Sequence, residues 1–135
     1  MAVIDTSVYV TLINPNETAH EAAWAWYVNA IREGEPLVAP AIILPEVAAA
    51  LSRGVDDRDL AHRAADRLLR SRTVELVPVS LALAQQAAAI AADHRIRGCD
   101  AIFVALAQYR ADVLITLDRQ QLERGSAVVT VRSPG

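Results

Sequence analysis

Ala2-Val3-Ile4-Asp5-Thr6-Ser7 is the stretch that decides how this chain is read. Three apolar residues without alternation suit a strand buried on both faces, as in a parallel sheet. The polar trio behind them suits the start of a helix. The same grammar returns at Val113-Leu114-Ile115, which runs into Thr116-Leu117-Asp118. Further strands are expected over 36–39, 74–79 and 127–131. Between them lie helical patterns. Thr18-Ala19-His20-Glu21 reads as a capping box, opening a helix that stops near Gly34. Residues 42–53 read as one helix, with Pro45 tolerated in its first turn and Gly54 as its stop. Asp56-Asp57 opens another, with Leu60, Ala61, Ala64, Ala65, Leu68 and Leu69 as its apolar stripe. Ser80 caps an Ala-rich helix that turns Leu83, Ala87 and Ile90 to one side. Asp100 starts a further helix with Ile102, Ala105, Leu106 and Tyr109 at helical spacing. Strands alternating with helices predict an α/β fold, a three-layer α/β/α sandwich around a mainly parallel central sheet.

The length of 135 residues suits one domain, since domains of about 100–150 residues are the commonest size. No linker, repeat or charge run divides it, so a single domain over 1–135 is expected. All thirteen basic side chains are arginine; lysine is absent. That excludes a P-loop NTPase, a Schiff-base enzyme and a protein kinase, each of which needs an amine at its centre. A lone cysteine, Cys99, excludes an internal disulfide framework and a cysteine-rich zinc site. The N-terminus has no basic leader, and the longest uncharged stretch, 76–92, is too polar to span a bilayer. The expectation is a soluble cytoplasmic protein with no membrane partner.

Carboxylates sit where strands meet helices. Asp5 and Asp118 follow strands, and functional groups of open α/β sheets gather beyond the carboxyl ends of strands. Glu46 and Asp100 sit near two helix starts. Converged, the four form a cluster that is unstable as bare anions and calls for a hard divalent cation with oxygen ligands. Mg²⁺ fits, with Mn²⁺ as its usual substitute. Taken singly, each has a plainer reading: Asp is a favoured helix cap, and acids in a first turn are stabilised by the helix dipole. Composition and spacing alone leave those alternatives open.

Four segments in order carry more weight: Val3-Ile4-Asp5-Thr6-Ser7; Pro45-Glu46-Val47-Ala48 with Leu51 behind it; Arg97-Gly98-Cys99-Asp100-Ala101-Ile102-Phe103; and Leu114-Ile115-Thr116-Leu117-Asp118. Together they resemble the PIN-domain nucleases, most closely the VapC-type toxins of toxin–antitoxin pairs. The resemblance runs from Ala2 to about Val131. It implies that Asp5, Glu46, Asp100 and Asp118 are the catalytic acids and hold Mg²⁺ or Mn²⁺; the motif does not settle which touch the ion, and the mechanism expected here puts Asp5 and Asp118 in direct coordination with Glu46 and Asp100 orienting metal-bound water. It implies a supporting role for the hydroxyl of Thr6 or Ser7 and for Thr116. It also implies an endoribonuclease acting on RNA, a homodimer, and a cognate antitoxin protein. The alternatives within this likeness are an RNA-processing PIN nuclease that is no toxin, and a non-catalytic PIN module that binds RNA or protein.

Rivals fit less well. A haloacid-dehalogenase-like phosphatase wants a second Asp two positions after the first, where this chain has Ser7, and a phospho-receiver domain wants a lysine. Arg53, Arg97 and Arg119 lie near the motif acids; a solvated surface charge is the default for each, with phosphate binding, or for Arg97 and Arg119 pairing with the site carboxylates, as the alternatives. His20, His62 and His94 have no metal-ligand spacing. Trp24 and Trp26, two residues apart, cannot share a helical face, so at least one is expected to be exposed. The formal charge of −3 looks poor for a nucleic-acid binder. Setting the four motif acids aside leaves twelve acids against thirteen arginines.

Overall fold

Every strand of the sheet is short, and each is paired in parallel. A computed structural model describes residues 1–110 and 113–135. The strands are β1 (Ala2–Ile4), β2 (Leu37–Pro40), β3 (Val74–Val77), β4 (Val113–Ile115) and β5 (Thr130–Arg132), in the order β3-β2-β1-β4-β5. The expected "mainly parallel" sheet is parallel throughout. The unbroken apolar runs make sense in these positions. Ala2, Val3, Ile4, Leu37, Val38 and Ala39 are all buried, because helices cover both faces of the central strands.

Seven α-helices complete the three-layer sandwich among the described residues: α1 (Thr6–Ile13), α2 (His20–Arg32), α3 (Ile43–Ala49), α4 (Arg58–Leu69), α5 (Leu81–His94), α6 (Gly98–Arg110) and α7 (Arg119–Arg124). The helix α6 lies against β1, β2 and β4 and carries α5 on its outer side. Its run Phe103-Val104-Ala105-Leu106 is wholly buried, and each such large apolar side chain contributes about 1.5–3 kcal/mol. No helix among the described residues is long and apolar enough to cross a membrane.

Several caps are where the sequence puts them. Asp57 accepts the Leu60 amide at 2.9 Å, and Ser80 accepts the Leu83 amide at 3.1 Å. Gly34, at φ +69, ends α2 by turning its N–H and that of Glu35 back onto the carbonyls of Ile31 and Ala30. Trp24 is 49% exposed while Trp26 packs against the core, as two residues on opposite sides of α2 must.

Other expectations are corrected. The capping box at Thr18 does not form: α2 begins at His20 with Ala19 at its cap position and no side-chain cap. The His20 amide instead closes a turn onto the Glu17 carbonyl at 3.0 Å, and the His20 ring bonds the Thr11 carbonyl. The helix expected over 42–53 is two pieces, because after α3 the backbone widens into a π-helical turn, Ala50–Gly54. The apolar stripe of α4 is narrower than read, with Leu69 62% exposed, and Tyr109 of α6 is 72% exposed. The helix α6 starts at Gly98 rather than Asp100, since Arg95 takes a left-handed conformation and the Arg97 carbonyl already accepts the Ala101 amide. The last strand comes later than 127–131, because α7 and a 3₁₀ turn, Gly125–Ala127, occupy the chain first.

Candidate active site

Strand order locates the site. From β1 the chain builds outward to β2 and β3, then returns to the opposite edge of β1 for β4 and β5. A reversal of this kind marks the place where open α/β sheets form a crevice and bind ligands, here the carboxyl ends of β1 and β4. Asp5 and Asp118 follow these two strands, one on each lip. The backbone joins them directly, since the Asp5 amide donates to the Ile115 carbonyl at 2.9 Å.

Asp5 is 4% exposed. It occupies the cap position of α1 but its side chain does not cap the helix; its backbone carbonyl takes the Val8 and Tyr9 amides. The Oδ2 atom instead accepts Ser7 Oγ at 2.9 Å and Thr116 Oγ1 at 2.7 Å. Burial pushes the Asp5 carboxyl above the ordinary aspartate range, the two hydroxyls pull it back, and the nearby charge of Asp100 raises it again. Ser7 and Thr116 are tied in turn to the other lip: Ser7 Oγ accepts the Leu117 amide at 3.0 Å, and Thr116 Oγ1 accepts the Asp118 amide at 3.0 Å. Of the two hydroxyls behind Asp5, Ser7 reaches the carboxylate. Thr6 does not; neighbouring residues of a helix face different ways, and its Oγ1 is buried without a hydrogen-bond partner.

Asp118 takes the helix-cap role that its position allows. Its Oδ1 caps α7, accepting the Gln120 amide at 2.8 Å and the Gln121 amide at 3.3 Å. Its Oδ2 is left to face the crevice, where Arg97 Nη2 donates to it at 3.0 Å. The same guanidinium donates from Nε to Asp100 Oδ2 at 2.8 Å. Burial raises the Asp100 carboxyl, and Arg97 opposes that shift. Glu46, in the first turn of α3, is raised by burial and then by the charges of Asp100 and Asp5. Asp5, Glu46 and Asp100 are therefore within electrostatic reach of one another, and Asp118 joins them through Asp100 and Arg97. Arg53 and Arg119 are exposed; Arg97 is the arginine that engages the acids.

The acids gather without closing. Among the described residues no three Asp, Glu, His or Cys side chains are set as a ready metal cage. The donor chemistry nonetheless suits a hard divalent cation, because it is all oxygen, and because Asp5 is a buried anion whose carboxylate neighbours add charge that a cation would relieve.

Sequence reasoning missed one residue at the site. Gln121, 1% exposed, donates from Nε2 to the Asp100 carbonyl at 3.1 Å and so joins the start of α7 to the first turn of α6. Only the short helix it belongs to was detectable, from Asp118 as cap and Gly125 as stop.

Known proteins share this fold. The PIN domain family profile matches residues 2–126. No curated protein sequence matches the chain. Among solved structures, VapC20 of Mycobacterium tuberculosis, a sarcin–ricin loop cleaving toxin, superposes with a TM-score of 0.78 at 21% identity over 94% of each chain. FitAcB of Neisseria gonorrhoeae gives 0.72 at 21% identity over 99% of this chain and 98% of the other. VapBC2 of Rickettsia felis, bound to a DNA fragment from its promoter, gives 0.73 at 12% identity over 98% and 97%. At these identities the likeness is one of fold.

Proposed function

This chain belongs to the PIN-domain family, and on that premise we propose that it is a metal-dependent endoribonuclease, the toxin of a VapBC-type pair. The reading is supported by the mutual electrostatic influence of Asp5, Glu46 and Asp100, and by the Arg97 bridge between Asp100 and Asp118, at the switch point of the sheet. Asp5 and Asp118 would hold Mg²⁺ or Mn²⁺ directly, with Glu46 and Asp100 completing the acidic surround. The ion supplies, when bound, a lowered pKa for water, neutralisation of phosphate charge and stabilisation of the leaving oxygen.

The chain's own residues do the rest. Ser7 and Thr116 favour the ionised form of Asp5 against its burial and fix its orientation by donating two hydrogen bonds to Oδ2. Glu46, partly exposed and raised above the ordinary glutamate range, is the group suited to take a proton from the attacking water. Arg97 supplies positive charge at the edge of the crevice, where the RNA backbone must pass. The fold shared with toxin–antitoxin structures supports a cognate antitoxin as partner, and the reading includes a homodimer.

Cleavage of RNA by the purified chain is expected with Mg²⁺ or Mn²⁺, to stop with EDTA, and to disappear in Asp5→Asn. Undiminished cleavage by the folded Asp5→Asn protein would falsify the assignment. Light scattering at micromolar concentration checks the dimer, and a persistent monomer counts against it.

A further inference from the structure

Arg97 is bound to the site in a way that a phosphate-binding arginine need not be. It bridges two carboxylates from different elements, Asp100 on α6 and Asp118 at the head of α7, with donor distances of 2.8 and 3.0 Å. On Asp118 it takes Oδ2, the one oxygen left after Oδ1 has capped two amides. It also raises no barrier to movement: its side chain is 68% exposed, with the guanidinium on the solvent side of the acids.

We propose that Arg97 is an internal counter-cation that exchanges with the divalent metal, holding Asp100 and Asp118 together while the site is metal-free and releasing Asp118 when the ion enters. This rests on the metal-dependent reading above. The physical reason is competition for one oxygen. A cation ligated by Asp118 must take Oδ2 or give up the α7 cap, and a guanidinium on the same atom opposes it by charge and by occupancy. The bridge lowers the repulsion among Asp5, Glu46, Asp100 and Asp118 that would otherwise loosen the metal-free crevice. It therefore weakens metal binding while it steadies the fold, and once displaced it leaves a free guanidinium beside the crevice. A purely structural bridge predicts the reverse for affinity, because losing it would let the acids drift apart.

The test is Mn²⁺ binding measured by calorimetry on wild type, Arg97→Gln and Arg97→Lys, with melting temperatures taken with and without the ion. Arg97→Gln is expected to bind Mn²⁺ about tenfold more tightly, to melt lower than wild type without metal, and to gain more on adding it. Arg97→Lys, charged but unable to bridge both carboxylates with a planar fork, falls between, and it decides the matter should Arg97→Gln fail to fold. Unchanged or weaker Mn²⁺ affinity in the variants, with wild type binding normally, overturns the exchange and leaves the proposed function standing. Absence of binding in wild type overturns both.

Discussion

Thr116→Val removes one oxygen and little else. Thr116 is fully buried, and valine fills almost the same volume. Three hydrogen bonds go with the hydroxyl: the 2.7 Å donation to Asp5 Oδ2, the 3.0 Å acceptance of the Asp118 amide and a longer 3.4 Å contact with Ser7 Oγ. A hydrogen bond to a charged partner contributes about 1.5–3 kcal/mol, and an orphaned buried group costs about 1–3 kcal/mol. Asp118 is only partly buried, so water can reach its amide and the second cost falls at the low end. The expected loss at neutral pH is about 3 kcal/mol. Unfolding entropy of about 2.1 cal/mol/K per residue converts this to a fall of about 10 °C in Tm. The loss depends on pH in a definite direction. The folded-state pKa of Asp5 is already raised, so its charge opposes folding: that contribution to stability is present below the ordinary aspartate pKa and is lost as pH rises through the raised value. Removing a donor to the carboxylate raises the folded pKa further. The gap between variant and wild type should therefore be small in acid and widen towards neutrality. Urea titrations of the metal-free proteins at both pH values measure it. A Tm within about 3 °C of wild type at neutral pH, or a gap that widens in acid, refutes the assignment of these hydrogen bonds to Thr116.

Activity should fall on the acid side from a pH above the ordinary carboxylate range. Asp5, Glu46 and Asp100 are all raised, and protonating them removes both the ligands and the proton acceptor; a rate profile with its acid limb in the normal range of free carboxylates contradicts this. Gly34→Ala should lower stability by about 1 kcal/mol and leave cleavage untouched, since φ +69 strains any side chain while the space around the glycine is open. Equal melting of the two proteins would show that the turn relaxes.

The legible parts of this protein were those written in consecutive residues. An apolar triplet followed by Asp announces a buried strand and a polar terminus, and both β1 with Asp5 and β4 with the Thr116–Asp118 segment are where that pattern puts them. The illegible parts depend on which segments become neighbours. Thr18 and Glu21 have the spacing of a capping box, yet the Thr11 carbonyl and the Glu17 turn decide where α2 starts. Ser7 and Thr6 are equal candidates on paper; the turn at the start of α1 distinguishes them, bringing Ser7 onto Asp5 Oδ2 and leaving Thr6 without a partner. Arg97 sits three residues from Asp100, so that pairing is readable as an i,i+3 contact, but its hold on Asp118 exists only because β4 returns to the side of β1.

That return has a consequence for synthesis. The crevice joins residues from the first and last fifths of the chain, and β1 gains its second neighbour only when β4 arrives. A growing polypeptide that ends before Val113 has Asp5 but neither Thr116 to hold it nor Asp118 to face it. Nascent chains and prematurely terminated fragments thus lack the assembled acidic site. For the ribonuclease proposed above, this means disarmament until nearly the last turn of its synthesis.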